Sequence, residues 1–199
     1  MTFEDLISKR RSIYHLSANL PISKTAVAEL VKNAVLQSPT AFNSQSGRVV
    51  LLFGDDNQKL WQLTADALQK VTTAEQFVKT RAKIDSFAAG AGSVLFFIDD
   101  AVTQDLQQKF PSYAANFPVW AEQAEGMLQY IVWSLLAEHN IGASLQHYNP
   151  LIDEAVRQTF DIPPTWRLTA QMPFGGIAQK ADAKTYLPIE QRLKIFGLR

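Results

Sequence analysis

The sequence contains no cysteine and carries no excess of charge of either sign. Without cysteine, the chain cannot form disulfides, thiolate nucleophiles, thiolate zinc sites or iron–sulfur clusters. Lysine plus arginine number 19 and aspartate plus glutamate number 19, so the formal net charge at pH 7 is zero. A neutral chain exerts no long-range attraction on nucleic acid or on a membrane surface. We therefore predict that neither is a partner.

Long hydrophobic runs are also missing. No stretch approaches the roughly 18 apolar residues of a membrane-spanning helix. Residues 1–11 mix charged with apolar side chains and contain no continuous apolar segment of the kind found in signal peptides. These absences predict a cytoplasmic protein. At 199 residues and 47% hydrophobic, the chain is expected to form one domain over residues 1–199.

Several common functional motifs are absent as well. The chain has no GxGxxG or Walker loop for nucleotides and no GxSxG turn of the serine hydrolases. Its three histidines, His15, His139 and His147, have no metal-ligand spacing, and we predict no metal site.

Hydrophobic periodicity predicts alternating helices and strands. The predicted helices span 2–10 (capped by Thr2), 23–37 (capped by Ser23), 58–71, 73–87, 118–140 and 150–160. The predicted strands span 48–54, 93–98, 141–146 and 167–174. This order predicts an α/β or α+β protein with one sheet covered by helices. Because the helix 118–140 is apolar on nearly all sides, it should lie centrally in the protein or in its oligomer.

The first candidate site is Arg10-Arg11-Ser12, directly after the first predicted helix. Two guanidinium groups and a hydroxyl can bind a phosphate, because arginine presents forked donors that match its oxygens. The same residues also suit a solvated charge pair at the end of a helix.

The second candidate is the polar loop 38–45, in which Asn43 and Gln45 offer amide donors and acceptors suited to a flat heterocycle. An ordinary helix-to-strand loop uses the same residue types.

The third and fourth candidates lie later in the chain. Gly142, Ala143 and Ser144 are small enough to let a neighbour approach the backbone closely. His147 can serve as an acid or a base, or simply as a structural side chain. Arg192 and Lys194 suit a solvent-facing tail unless they reach the same phosphate as Arg10.

Together these segments resemble one family. Residues 10–12 and 38–45 (Ser-Pro-Thr-Ala-Phe-Asn-Ser-Gln) are similar to segments of the FMN-dependent nitroreductases. Residues 116–120 (Asn-Phe-Pro-Val-Trp) and 142–153 (Gly-Ala-Ser-Leu-Gln-His-Tyr-Asn-Pro-Leu-Ile-Asp) resemble its Frm2/Hbn1-like, or fatty-acid-repression-like, branch. The resemblance implies an α+β fold with a central mixed, mainly antiparallel sheet flanked by helices. It also implies a homodimer with the long central helix in its interface.

The resemblance further implies an FMN site between the two subunits. The residues that it assigns to the phosphate and ribityl end are Arg10, Arg11, Ser12, Arg192 and Lys194. Those that it assigns to the flavin ring are Asn43, Gln45, Lys83, Gln146 and His147. Leu145 to Tyr148 replace a Pro-Ile-Glu-Gly segment common among nitroreductases, and no side chain is assigned a catalytic role.

The implied function is that of an oxidoreductase. NADH or NADPH would reduce the flavin, and a nitroaromatic, quinone or similar acceptor would then be reduced at the same face in a ping-pong scheme. A role in stress response is also implied. The alternative is a flavin-binding regulatory or sensor protein on the same fold.

Overall fold

A computed structural model describes residues 2–198, and Met1 and Arg199 lie outside this range. The helices are α1 (Phe3–Lys9), α2 (Lys24–Gln37), α3 (Gly54–Gln69), α4 (Ala74–Ala88), α5 (Asp100–Lys109), α6 (Asn116–Glu138) and α7 (Asp153–Thr159). The strands are β1 (Leu16–Ser17), β2 (Gly47–Phe53), β3 (Gly92–Asp99), β4 (Ile141–Ala143) and β5 (Trp166–Ile177). Short 3-10 helices occupy Ala41–Asn43, Pro111–Tyr113 and Ile189–Gln191.

All five strands join one sheet. Its order is β1-β5-β3-β2, and β4 also pairs with β5. Every strand pair is antiparallel, and an isolated bridge between Ser12 and Ala143 adds a parallel link. Helices cover both faces of the sheet, so the predicted α+β fold is confirmed.

Strand β3 shows why the apolar run around 93–98 is a buried strand. Its side chains alternate between two hydrophobic clusters, so that Val94 and Phe96 face one side and Leu95 and Phe97 face the other. Residues of α2 and α6 cover the first face, and residues of α3, α4 and α7 cover the second. A strand covered on both faces is apolar at nearly every position, because both of its sides are removed from water.

Two predicted helix starts are confirmed by their caps. The side chain of Thr2 accepts a hydrogen bond from the backbone N–H of Asp5, whose carboxylate accepts from Thr2 in return. The hydroxyl of Ser23 accepts from the backbone N–H of Ala26. Both contacts satisfy backbone donors that a helix start leaves without an intrahelical partner.

Other boundaries differ from the prediction. The predicted strand 141–146 ends at Ala143, and Gln146 instead forms an isolated bridge with Gln171. The two-residue strand β1 is too short to produce an alternating pattern. Helix α5 has no predicted counterpart because Thr103 is its only buried side chain, so it lacks the apolar period that marks a helix.

Helix α6 is the longest helix, at 23 residues. One side packs into the core through residues such as Leu128 and Val132. The opposite side leaves Val119 53% and Met127 42% exposed in the single chain. Within residues 2–198, no helix combines the length and hydrophobicity needed to cross a membrane.

Candidate functional site

The segment after α1 is held against β4. The backbone N–H of Ile13 donates to the carbonyl of Ala143 at 2.9 Å. A Cβ atom at Gly142 would lie 2.9 Å from Cγ2 of Ile13, so only glycine permits this approach without a shift. The close neighbour that the small residues at 142–144 predict is therefore the chain's own N-terminal segment, which is thereby fixed beside the sheet.

Beside this segment lies a cavity of about 430 Å³, which we call the basic cavity. It is lined by the predicted residues Arg10, Arg11 and Ser12 together with the segment 179–182 and Lys184. Four of the lining side chains are lysine or arginine, and one, Asp182, is acidic. Nη2 of Arg11 donates to the backbone carbonyl of Asp182 at 2.6 Å, which ties the two walls together.

Arg10 is positioned by aromatic rings. Its guanidinium carbon lies 4.4 Å from the ring centroid of Trp133 and 5.7 Å from that of Tyr130. Cation–π contacts of this kind hold the side chain in place. Its Nε is buried and has no hydrogen-bond partner within the described chain. A buried charged donor without an acceptor is costly, so this group suits an anionic ligand.

The predicted amide pair lies on a strained loop. Asn43 and Gln45 have φ angles of 50° and 49°, and Phe42, which directly precedes Asn43, has a φ angle of 57°. Left-handed conformations are uncommon for residues other than glycine, and they mark loops that the surroundings hold in place. Here the hydroxyl of Thr40 accepts from the backbone N–H of Gln45 at 3.0 Å. The ring of Phe42 stacks on that of Trp120, with centroids 6.0 Å apart.

Asn43 and Gln45 line a second cavity of about 240 Å³, which we call the amide cavity. Its floor includes a residue that the sequence analysis missed, Glu125 of α6. Glu125 is 2% exposed, and neither of its carboxyl oxygens has a hydrogen-bond partner within the described chain. Burial, reinforced by the nearby charge of Glu122, raises its pKa to about 8. A glutamate at an inward-facing position of an apolar helix is the one sequence signal that could have identified it.

The segment 144–148 is fixed to β5. The backbone of Gln146 exchanges two hydrogen bonds with that of Gln171, at 2.7 Å and 2.9 Å, and its side chain donates to Ser144 Oγ at 3.0 Å. The backbone N–H of Tyr148 donates to Oε1 of Gln171, and burial raises the Tyr148 pKa to about 12. Between them His147 is exposed, and no residue in the range 2–198 accepts a hydrogen bond from its backbone N–H.

The remaining candidate residues lie apart from both cavities. Lys83 is exposed on α4, with its Nζ 5.8 Å from the ring centroid of Phe87. Arg192 and Lys194 are exposed on the C-terminal tail, and neither lines the basic cavity of its own chain. A single chain thus brings Arg10–Ser12 together, and Asn43 with Gln45, but it does not join these groups.

The sequence is similar to known proteins of one family. The sequence profile described as the nitroreductase family matches residues 7–176. Two proteins of Saccharomyces cerevisiae align with the chain. HBN1 is 37% identical over 198 residues, covering 98% of this chain and 97% of its own. The nitroreductase FRM2 is 36% identical over 183 residues, covering 91% of each chain.

A solved structure extends the similarity to the fold. The nitroreductase CinD from Lactococcus lactis, solved in complex with chloramphenicol, has 43% sequence identity and a TM-score of 0.91. The match covers 98% of this chain and 100% of the CinD chain. Profile, sequence and fold agree along almost the whole length, and the chain therefore belongs to the nitroreductase family.

Proposed function

We propose that this protein is an FMN-dependent oxidoreductase that uses NADH or NADPH to reduce nitroaromatics, quinones or similar small acceptors. The observation that carries the proposal is the basic cavity, which is lined by the guanidinium-bearing Arg10 and Arg11 and by the hydroxyl-bearing Ser12. Nε of Arg10 is in addition buried without an acceptor in the described chain. The phosphate of FMN supplies the oxygens that such donors bind.

The relatives support the cofactor and the acceptor class. A nitroreductase-like protein from Desulfovibrio desulfuricans with the same fold was solved with FMN, at a TM-score of 0.71 and 17% identity. CinD, at 43% identity, was also solved with 4-nitrophenol. A cytoplasmic location and a role in stress response stay predictions.

Each set of site residues would contact a different part of the cofactor. When bound, FMN supplies the hydride chemistry, and the protein orients it and controls its surroundings. Arg10, Arg11 and Ser12 would bind the phosphate and ribityl end. Asn43 and Gln45 would contact the ring, and the unpartnered N–H of His147 offers a donor to a ring atom. Lys83 is proposed for the pyrimidine edge, although in this chain its side chain lies on the surface of α4.

We infer that the working form is a homodimer. The basic cavity and the amide cavity have no lining residue in common. We therefore take the arrangement that the family resemblance implies, in which one flavin contacts the first set in one chain and the second set in its partner. The tail 186–198 exposes seven large apolar side chains, among them Phe196 at 88%. Isolated surface apolar residues are common, but a contiguous set marks an interaction site. A partner subunit would cover this tail and bring Arg192 and Lys194 to its flavin.

Mixed dimers test this arrangement. Chains carrying Arg10→Ala and chains carrying Asn43→Ala are coexpressed with different tags, and the mixed dimer is isolated. If each site combines Arg10 of one chain with Asn43 of the other, the mixed dimer keeps one intact site and binds one FMN. If both residues act within one chain, both sites are damaged and tight FMN binding is lost. Each variant homodimer serves as a control, because both of its sites carry the substitution.

Stopped-flow spectroscopy tests the redox function. Mixing the FMN-loaded protein with NADH or NADPH under anaerobic conditions should bleach the flavin absorbance, and 4-nitrophenol or a quinone should restore it. A flavin that stays oxidised in the presence of both nicotinamides would refute the enzyme and favour the flavin-binding sensor.

A further inference from the structure

The amide cavity contains more polar groups than the fold requires. Oγ of Ser38 and both carboxyl oxygens of Glu125 are buried without hydrogen-bond partners within the described chain, and both residues line this cavity. Buried polar atoms are nearly always hydrogen-bonded in folded proteins, so each orphan needs an explanation. The three oxygens belong to residues that line one cavity together with Asn43 and Gln45, so a ligand bound in that cavity is a candidate partner for them.

The carboxyl group of Glu125 packs against Gly47, which lines the same cavity. Its Oε2 lies only 3.0 Å from where a Cβ atom at Gly47 would stand, so the glycine leaves room for the carboxyl. The cation that acts on the Glu125 charge is Arg167 of β5, whose Nε pairs with Asp100 at 3.0 Å and whose Nη1 pairs with Glu122 at 2.9 Å. The guanidinium thus pairs with those two carboxylates rather than with Glu125.

The charge state of the carboxyl follows from these neighbours. Burial penalises the carboxylate form, Glu122 on the same helix repels it, and only Arg167 favours it. With a pKa raised to about 8, Glu125 carries a proton at pH 7, and its carboxyl group then has one O–H donor and one carbonyl acceptor.

We propose that Glu125, as a neutral carboxylic acid, is a flavin-binding residue that donates its O–H to an acceptor atom of the ring. This inference rests on the proposed function and extends it to a residue outside the family resemblance. A flavin ring carries carbonyl oxygens and ring nitrogens along one edge, which suit an O–H donor. A carboxylate offers no donor there and repels the same electron-rich atoms.

Binding of FMN should therefore weaken as Glu125 ionises. If only the protonated form binds, proton linkage with a pKa of about 8 predicts an increase in Kd of about 30-fold between pH 7 and pH 9.5. Glu125→Gln keeps the shape and an N–H donor but cannot ionise. Its Kd should be within about threefold of the unmodified protein at pH 7, since one neutral hydrogen bond replaces another.

The experiment measures the FMN Kd by quenching of flavin fluorescence at pH 7 and pH 9.5. Glu138→Gln, the same substitution at an exposed position of α6, is the matched control and should behave like the unmodified protein. Ionisation of FMN itself affects all three proteins equally, so the informative quantity is the difference between Glu125→Gln and the others. Equal pH dependence in all three would overturn the inference while leaving the proposed function intact. Failure of the unmodified protein to bind FMN at pH 7 would refute both.

Infrared difference spectroscopy gives a signal that FMN would not change if Glu125 had only a structural role. The protonated carboxyl should produce a carbonyl stretching band that is absent from Glu125→Gln. Adding FMN should shift this band, because the O–H acquires an acceptor. A band that is unchanged by FMN would overturn the inference.

Discussion

The raised pKa of Glu125 leads to a prediction about protein stability that does not depend on the flavin. In the folded chain its pKa is about 8, whereas in the unfolded chain it returns to the ordinary value of 4.5. The unfolded state therefore loses its proton at a lower pH than the folded state does. The free energy of unfolding should fall as the pH rises from about 4.5 and should level off above about 8.

The size of this effect follows from the gap between the two pKa values. Each unit corresponds to about 1.4 kcal/mol, so the contribution of Glu125 should decrease by about 3 to 4 kcal/mol between pH 5 and pH 8. That is a large share of the roughly 5–15 kcal/mol that typically separates folded from unfolded states. Glu125→Gln removes this contribution, because the amide is neutral throughout. The variant should therefore be more stable than the unmodified protein at pH 8 and similar to it at pH 5.

Urea unfolding of the flavin-free protein, followed by tryptophan fluorescence at pH 5, 6.5 and 8, measures this difference. Protein concentration is held constant, since the stability of an oligomer depends on it. Glu138→Gln controls for the loss of a glutamate from the same helix and should track the unmodified protein. Parallel pH profiles for Glu125→Gln and the unmodified protein would refute the reasoning, because they would show that Glu125 ionises normally in the folded state.

Three further predictions concern the cofactor, the core and the oligomer. Arg10→Ala should weaken FMN binding about 10- to 100-fold by equilibrium titration, because one charge-assisted hydrogen bond is lost. Arg157→Ala, on α7 and outside both cavities, should leave FMN binding unchanged. Ser93→Ala should lower the free energy of unfolding by about 1–3 kcal/mol in urea, because Trp61 Nε1, which donates to Ser93 Oγ at 2.9 Å, loses its buried acceptor; an unchanged midpoint would contradict this. Deleting residues 186–198 should weaken the dimer by sedimentation analysis, and an unaltered dimer would show that the tail packs elsewhere.

Much of the fold could be predicted from the sequence because its signals are local. The apolar run of β3 and the caps of Thr2 and Ser23 depend on neighbouring residues, and the structure confirms them. Helix α5 could not be predicted, because its side chains are mostly polar and its position depends on contacts with other elements. The end of β4 depends on Gln146 pairing with Gln171, a contact between residues distant in sequence.

Some residues of the candidate site could be predicted from local sequence patterns, and others could not. Arg10, Arg11 and Ser12 are adjacent in sequence and lie together in the structure. Glu125 was missed because the local pattern shows only a glutamate within an apolar helix, whereas its burial and its unpaired carboxyl oxygens depend on residues of other elements. We infer that Arg10 meets Asn43 and Arg192 only between two chains. A pattern within one sequence does not report such contacts, so this arrangement stays a prediction.

The central claim is that the basic cavity binds the phosphate of FMN. Its most direct test is the FMN content of the purified protein after saturation with FMN and gel filtration, measured by visible absorbance against protein concentration. We predict one FMN for each chain, and a substantial loss of this bound flavin in Arg10→Ala. Flavin that separates completely from the unmodified protein during gel filtration, or an Arg10→Ala variant that retains a full complement, would contradict it.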